Sequence, residues 1–308
     1  MFSGISLRVI QPRQRVQMGC FNVEFLRVCH SIADCVGLSI ETPVGNIIHT
    51  GDFKLDPTPI DGELTDYYKF SELGEKGVLL LMSDSTNVTR PGFTPSEREV
   101  APALRNSIGT ATGRVVVTTF ASNIHRVQQI LNISAKFNRK IALVGRSMER
   151  VTKKALDMGY IRAENVTFIK QSEINHYRDN EVTIVTTGSQ GEPMSALTRI
   201  ASGNHKIEVK AGDTIIISAV PIPGNEKMVF NTINKLFAKG AEVIYEAHNH
   251  LHVSGHASAE ELKMMINLTK PKFFVPIHGE SRHLIHHCEL AQTLNISSEN
   301  TFILNNGD

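Results

Sequence analysis

Tryptophan is absent from the 308-residue sequence, and tyrosine occurs only five times. Few side chains are therefore available to stack on the bases of a single-stranded nucleic acid. Neither sign of charge is in excess, because 32 basic residues face 31 acidic ones. A nearly neutral chain has no overall field that attracts nucleic acid or membrane, so any phosphate site must be local.

Cysteines and long apolar runs are also scarce. The four cysteines form no CxxC pair and no dense framework, so buried, reduced thiols in a cytoplasmic protein are expected. No apolar run approaches the roughly 18–20 residues of a transmembrane helix, and the first ten residues lack the features of a signal peptide. The sequence therefore favours a cytoplasmic protein without membrane contact.

The hydrophobic pattern changes near residue 113. Residues 1–56 have the pattern of short strands, among them SLRVI (6–10), which are rich in β-branched residues and broken by Gly and Pro. Beyond residue 113 apolar strands, including VTFIK (166–170), alternate with amphipathic helices. This alternation is typical of a mostly parallel sheet covered by helices. The length suggests two domains, or one large domain with an insertion.

Four polar side chains are predicted at the ends of apolar strands: His30, Asp52, Asp84 and His278. Loops at strand ends present functional side chains on a rigid scaffold. Each residue alone is a weak signal, because a single His at a strand end is more often structural and Gly-Asp makes ordinary turns. Their fixed order, with HVSGHA (252–257) between the last two, indicates one shared site.

Six motifs together resemble the ribonuclease J family of the metallo-β-lactamase superfamily. They are GDFKLDPTPIDG, SDSTN, TTFASNIHRVQQ, TTGSQGEP, HVSGHAS and PIHGE, and the likeness covers nearly all of the chain. The resemblance implies an α/β fold, a metallo-β-lactamase αββα sandwich (incomplete here) with an inserted Rossmann-like β-CASP domain. It assigns residues 1–96 to the first part of the metallo-β-lactamase domain, 97–247 to the β-CASP domain and 248–308 to the return segment.

The resemblance also implies a zinc centre. By family position His30 and Asp52 would ligate one zinc ion, and Asp52 and His278 a second, so that Asp52 bridges both. Two metals about 3.5–4 Å apart can share a hydroxide nucleophile and stabilise the leaving oxygen. Asp84 would orient a ligand or a proton, and His256 fits a role near the leaving group. The expected catalytic residues are Asp52, Asp84 and His256.

The substrate implied by the resemblance is single-stranded RNA, preferably 5′-monophosphorylated. HVSGH resembles the family's phosphate loop, where Gly255 permits close backbone approach while Ser254 and His256 donate to the phosphate. FASN precedes a helix and can bind an anion, and GSQGEP (188–193) offers similar turn chemistry. The expected substrate-binding residues are Ala121, Ser122, Asn123, His252, Val253, Ser254, Gly255 and His256.

Other histidines receive no metal role. His248 and His250 have the spacing of a zinc-binding HxH pair, but a strand-to-loop segment without metal is preferred because the matching family roles begin at His252. His283, His286 and His287 are predicted on the surface of a helix.

The string H-x-H-x-D-H, the strongest signature of the superfamily, does not occur in the sequence. In the family it supplies two ligands to each metal, and the chain also stops before the family's small C-terminal domain. The expectation is an N-terminally shortened chain that holds at most one zinc ion, where an intact family member holds two per subunit. Poor solubility and negligible RNA hydrolysis are expected of this chain.

Three functions stay open. The first is a zinc-dependent ribonuclease with 5′–3′ exonuclease and endonuclease activity, acting in rRNA maturation and mRNA turnover. The second is a non-catalytic RNA-binding or subunit-pairing β-CASP protein. The third is a metallohydrolase of a small substrate, which is disfavoured because such relatives lack both the β-CASP domain and the HVSGH loop. The family also implies a dimer, a tetramer or pairing with a paralogue.

Overall fold

The structure is a computed structural model that describes four stretches of the chain: residues 7–222, 224–245, 250–305 and 307–308. It divides into two compact units. The first comprises Met1–Ser96 and Ser254–Asp308, and the second comprises Glu97–Val253. The second unit is thus an insertion within the sequence of the first.

A six-stranded mixed sheet forms the centre of the first unit. Its strands are β1 (Arg15–Met18), β2 (Phe21–Arg27), β3 (Val36–Thr42), β4 (Gly45–His49), β5 (Leu80–Asp84) and β11 (Phe273–Ile277). They are ordered β1-β2-β3-β4-β5-β11. The pairs from β1 to β4 are antiparallel, whereas β4, β5 and β11 pair in parallel. Consequently β2, β4, β5 and β11 all point towards the same edge of the sheet.

Three helices belong to this unit: α1 (Tyr67–Lys76), α7 (Ala259–Thr269) and α8 (Ser281–Gln292). The Asp66 side chain caps α1 by accepting a hydrogen bond from the Lys69 backbone, which satisfies one of the free N–H groups of the first turn. Strand and helix residues share one apolar core that includes Leu26, Phe70 and Phe274. Full burial of one such side chain stabilises the fold by about 1.5–3 kcal/mol.

The second unit is a parallel sheet with helices. Its strands are β6 (Val115–Thr118), β7 (Lys140–Val144), β8 (Val182–Thr186), β9 (Thr214–Ile217) and β10 (Glu242–Ile244), ordered β10-β9-β6-β8-β7. All of its strand pairs are parallel. The helices are α2 (Val100–Thr110), α3 (Ile124–Lys136), α4 (Arg146–Asp157), α5 (Ala196–Ala201) and α6 (Glu226–Ala238). The strand–helix alternation predicted from residue 113 is confirmed.

Some local predictions are wrong. Residues 166–170 form no strand, because only Phe168 makes a bridge, to Ile141. Residues 7–10 are irregular, and the first strand lies further on, at Arg15–Met18. The four cysteines are free, as predicted, but Cys20 is exposed and Cys35 only partly buried. None of the helices in the described stretches combines the length and the apolar character that crossing a membrane requires.

Candidate active site

Four strands of the first unit deliver polar side chains to one edge of the sheet. His30 follows β2, Asp52 follows β4, Asp84 ends β5 and His278 follows β11. His256 reaches the same place from the loop before α7, and its ring lies between those of His30 and His278, with centroid distances of 4.9 and 5.3 Å. The structure thus brings together the residues that the sequence predicted as catalytic or metal-binding.

Asp52 lies between two histidines. Its Oδ2 is 3.9 Å from His30 Nε2, and its Oδ1 is 3.6 Å from His278 Nε2. In a tetrahedral zinc site with bonds of about 2.0–2.1 Å, ligand atoms lie roughly 3.3 Å apart. Each carboxylate oxygen is therefore near the distance expected of a ligand that shares a metal with one histidine.

The His30 ring is oriented by the backbone of the HVSGH loop. Its Nδ1 lies 2.8 Å from the carbonyl oxygen of Gly255, which can only accept, so Nδ1 carries the proton. Nε2 keeps its lone pair and faces Asp52, as in many metal-binding histidines. Burial lowers the pKa of His30, which favours the neutral ring that a metal requires.

A hydrogen-bonded chain orients His278 in the same way. The Thr86 hydroxyl donates to Asp84 Oδ1 over 2.8 Å, so Thr86 Oγ1 accepts from His278 Nδ1 over 2.9 Å. The remaining nitrogen of His278, Nε2, keeps its lone pair towards Asp52. Each Asp52 oxygen thus faces one histidine nitrogen, and these donor types suit zinc.

Asp84 and His256 form a hydrogen-bonded ion pair in which Asp84 is buried and His256 is partly buried. Asp84 Oδ2 lies 2.7 Å from His256 Nδ1, and Asp84 is 1% exposed. Burial opposes the charge on both groups, but the hydrogen bond and the opposite charge outweigh it, so the pKa of Asp84 is lowered and that of His256 is raised. The pair therefore favours a protonated His256, whose Nε2–H is free to donate.

His256 also belongs, by distance, to both groups of possible metal ligands. The groups are His30 with Asp52 and His256, and Asp84 with His256 and His278, each with ligand atoms within 4.8 Å of one another. The hydrogen bond to Asp84 occupies Nδ1 of His256, which leaves Nε2 for a metal, as in many metal-binding histidines, or for proton transfer.

Comparisons with known proteins agree with the family resemblance of the sequence motifs. The family model "Ribonuclease J, beta-CASP domain" matches residues 112–236, and "Zn-dependent metallo-hydrolase RNA specificity domain" matches residues 240–303. The chain is 52% identical to ribonuclease J of Synechocystis over all of its own length and 48% of that relative. It is 48% identical to ribonuclease J of Thermus thermophilus, covering 98% of this chain and 53% of that relative.

The chain belongs to the ribonuclease J family. Ribonuclease J2 of Bacillus subtilis is 42% identical, with 98% of this chain and 54% of the relative covered. The chain spans about half the length of these curated relatives. A crystal structure of a protein of unknown function from Enterococcus faecalis superposes with a TM-score of 0.64 at 17% identity, over 97% of this chain and 65% of that one, which supports the fold alone.

The fold of this ribonuclease J family member is α/β, a metallo-β-lactamase fold with a β-CASP insertion. Within the described residues, the first unit contributes the six-stranded sheet with α1, α7 and α8. Residues at the ends of its strands form the candidate site.

Buried polar residues that the sequence did not reveal hold the loops of the site. Glu261 is fully buried, and its carboxylate accepts hydrogen bonds from the backbones of Leu55, Thr94 and Ser258. Asn87 donates to Ser254 Oγ over 2.8 Å and to the His256 carbonyl over 3.0 Å. The Ser-x-x-Glu spacing at 258–261 is a capping-box signal, but it does not predict the contact with Leu55.

The predicted surface position of three α8 histidines is only partly correct. His286 is exposed and contacts Glu289. His287 is fully buried, with Nδ1 2.9 Å from Ser85 Oγ and its ring against Phe274. His283 is also buried, at 9% exposure. The His287 ring faces the unit's core because α8 packs against β11.

The predicted RNA contacts Ala121, Ser122 and Asn123 lie in the second unit. Ser122 is exposed, whereas the Asn123 oxygen caps α3 by accepting from the Arg126 backbone over 3.0 Å. Arg126 is itself fully buried against Glu97 and Ser218, which fixes the start of α3.

The remaining predicted contacts flank the boundary between the units. His252 is partly buried and Val253 is buried in the second unit, while Ser254, Gly255 and His256 belong to the first. His248 lies outside the described residues, and His250 is exposed.

Proposed function

We propose that this chain carries metal- and substrate-binding residues of a metal-dependent RNA phosphodiester hydrolase, which acts 5′ to 3′ with some internal cleavage. The observation that carries the proposal is the position of Asp52, which directs one oxygen to His30 Nε2 and the other to His278 Nε2. The similar proteins are named ribonuclease J, and this name supports RNA as the substrate.

Zinc held by Asp52, beside His30 or His278, would activate a water molecule and offset negative charge on the phosphate. The chain's own groups supply the proton chemistry. Asp84 holds the proton on His256 Nδ1, so that His256 Nε2–H donates to the oxygen that leaves. Ser254 Oγ accepts from Asn87 and from the His256 backbone, which leaves its hydroxyl hydrogen for a phosphate oxygen.

We propose at most one zinc ion for this 308-residue chain, with Asp52 as a ligand beside His30 or His278. Because the H-x-H-x-D-H string does not occur in it, this chain alone should hydrolyse RNA slowly.

The proposal includes partners and location. Single-stranded RNA with a 5′-monophosphate is the proposed substrate, and a dimer, a tetramer or pairing with a paralogue is the proposed assembly. A cytoplasmic location agrees with four free cysteines. Light scattering of the purified protein measures the assembly directly.

Asp52→Ala tests the metal site, with Asp157→Ala, an exposed residue of the second unit, as the matched control. Zinc per chain is measured by mass spectrometry, and RNA cleavage is measured with protein in excess over 5′-monophosphorylated RNA. We expect Asp52→Ala to lose zinc and to slow cleavage by about 100-fold or more, since it removes a shared ligand. Unchanged zinc content and cleavage would show that Asp52 does not hold the metal.

A further inference from the structure

The second unit carries a concave surface that the proposed active site does not use. Two cavities of about 880 and 700 Å³ adjoin, since Gln171, Arg199 and His205 line both. Seven Arg and Lys side chains line the combined surface, which we call the basic groove: Arg114, Arg146, Arg150, Lys170, Arg199, Lys206 and Lys210. A chain with a formal charge of only +1 thus concentrates positive charge at this place.

Most of these charges are available to a ligand. Arg114 is buried and pairs with Asp213 over 2.6 Å. Lys210 pairs with Asp179 over 2.7 Å, and the Arg199 guanidinium donates to the Asn204 carbonyl. In the part of the chain that the structure describes, the other four basic residues make no ion pair. Their side chains are exposed, and they come from three separate segments of the chain.

The environment of His205 provides a second sign of positive potential. Its pKa is lowered by burial and by the charges of Arg199 and Lys206. The carboxylates that line the basic groove, Glu149 and Glu208, are fewer than the basic groups. Neutral donors, including Gln171 and Ser172, complete a lining that suits phosphate oxygens.

We propose that the basic groove binds the phosphodiester backbone of single-stranded RNA, at phosphates other than the one that is hydrolysed. The inference rests on the proposed function and adds a second RNA contact, within the inserted unit. Arginine and lysine side chains neutralise phosphates whatever the base sequence. Among the described residues no Phe, Tyr or Trp lines either cavity, so we expect the basic groove to confer affinity and not base preference.

The test is equilibrium binding of an unstructured 30-nucleotide RNA, with chelator present so that no hydrolysis occurs. The triple variant Arg150→Ala, Lys170→Ala, Lys206→Ala is compared with a control of equal charge loss outside the basic groove, Arg105→Ala, Lys136→Ala, Lys239→Ala. All six residues are exposed and in the second unit. A third variant, Lys170→Arg with Lys206→Arg, keeps the charge.

We expect the triple variant to bind RNA at least about tenfold more weakly at 0.1 M salt, with a log–log salt slope smaller by about 2, since each single-strand phosphate contact contributes roughly 0.7. Single-stranded DNA should show the same loss, and the arginine variant should bind like the wild type. Equal affinity and slope in the triple variant and its control would overturn the proposal. Zinc content and cleavage, measured on the same proteins, report separately on the proposed function.

Discussion

The Glu261 carboxylate accepts a hydrogen bond from the backbone N–H of Leu55 over 2.7 Å, although 206 positions separate the two residues. Its second oxygen accepts from Thr94 over 2.6 Å and from Ser258 over 2.8 Å. A single buried carboxylate therefore fixes the loop that follows Asp52, the segment after β5 and the loop that holds His256. Glu261 acts on the site by positioning these loops.

Glu261→Gln should lower the free energy of unfolding by about 1–3 kcal/mol, because the new NH₂ group faces backbone donors that lose their acceptor. Zinc affinity should fall with it, since the Asp52 loop is released. Urea denaturation and zinc titration measure the two effects. The control is Glu260→Gln, a neighbour whose side chain contacts only Lys263 at the surface. Equal stability and zinc affinity in the two variants would contradict the positioning role.

The features of this molecule that could be predicted from the sequence are those that short-range patterns determine. The apolar run KFFVPI places His278 at a strand end, and NIIHTG places Asp52 after another, as observed. Such runs report burial and period, which are local properties. These strand ends come together because of the order and direction of the strands in the sheet. A single apolar segment of the sequence does not determine that order or direction.

The residues that the sequence did not reveal act over long range. The backbone partners of Glu261 lie in three loops, and the Ser85 partner of His287 lies 202 positions away. His287 belongs to the segment HLIHH, whose three histidines favour a surface position by composition. Helix α8 nevertheless buries it, because tertiary packing decides which face of a helix is covered.

Gly255→Ala should displace His30. A Cβ at Gly255 would lie 2.6 Å from His30 Nδ1 and 2.8 Å from Ser31 Oγ, so the ring that faces Asp52 must move. Overpacking of this kind costs about 1–3 kcal/mol, and zinc affinity should fall about tenfold or more. Gly113→Ala is the control, because its Cβ would meet the Gly212 carbonyl in the second unit. Zinc titration should separate the variants, and equal affinities would refute the contact.

Asp84→Asn should lower the pKa of His256. The folded-state pKa of His256 is raised, so its protonation stabilises the fold below the unfolded-state pKa of about 6.5. That stabilisation is lost as the pH rises through the folded-state value. Replacing the carboxylate by a neutral amide removes the charge that favours the imidazolium. Histidine titration by NMR, in metal-free protein, measures the change. Asp157→Asn should leave the pKa unchanged, and the same pKa in Asp84→Asn would disprove the ion pair.

His287 should make the fold sensitive to acid. Burial lowers the pKa of His287 to about 3, below the unfolded-state value of about 6.5. Above pH 6.5 neither state binds the proton, but between pH 6.5 and 3 the unfolded chain takes it up and the folded chain does not. Stability should therefore fall with decreasing pH, by up to about 1.4 kcal/mol per pH unit.

His287→Asn keeps a polar atom near Ser85 Oγ and removes this titration, so urea denaturation between pH 7 and 5 should give a flatter dependence of stability on pH than in the wild type. His286→Asn, on the exposed side of the same helix, should keep the wild-type slope. If the wild type and His287→Asn showed the same dependence of stability on pH, proton binding at His287 would not differ between the folded and unfolded states. The description of His287 as neutral and buried would then be wrong.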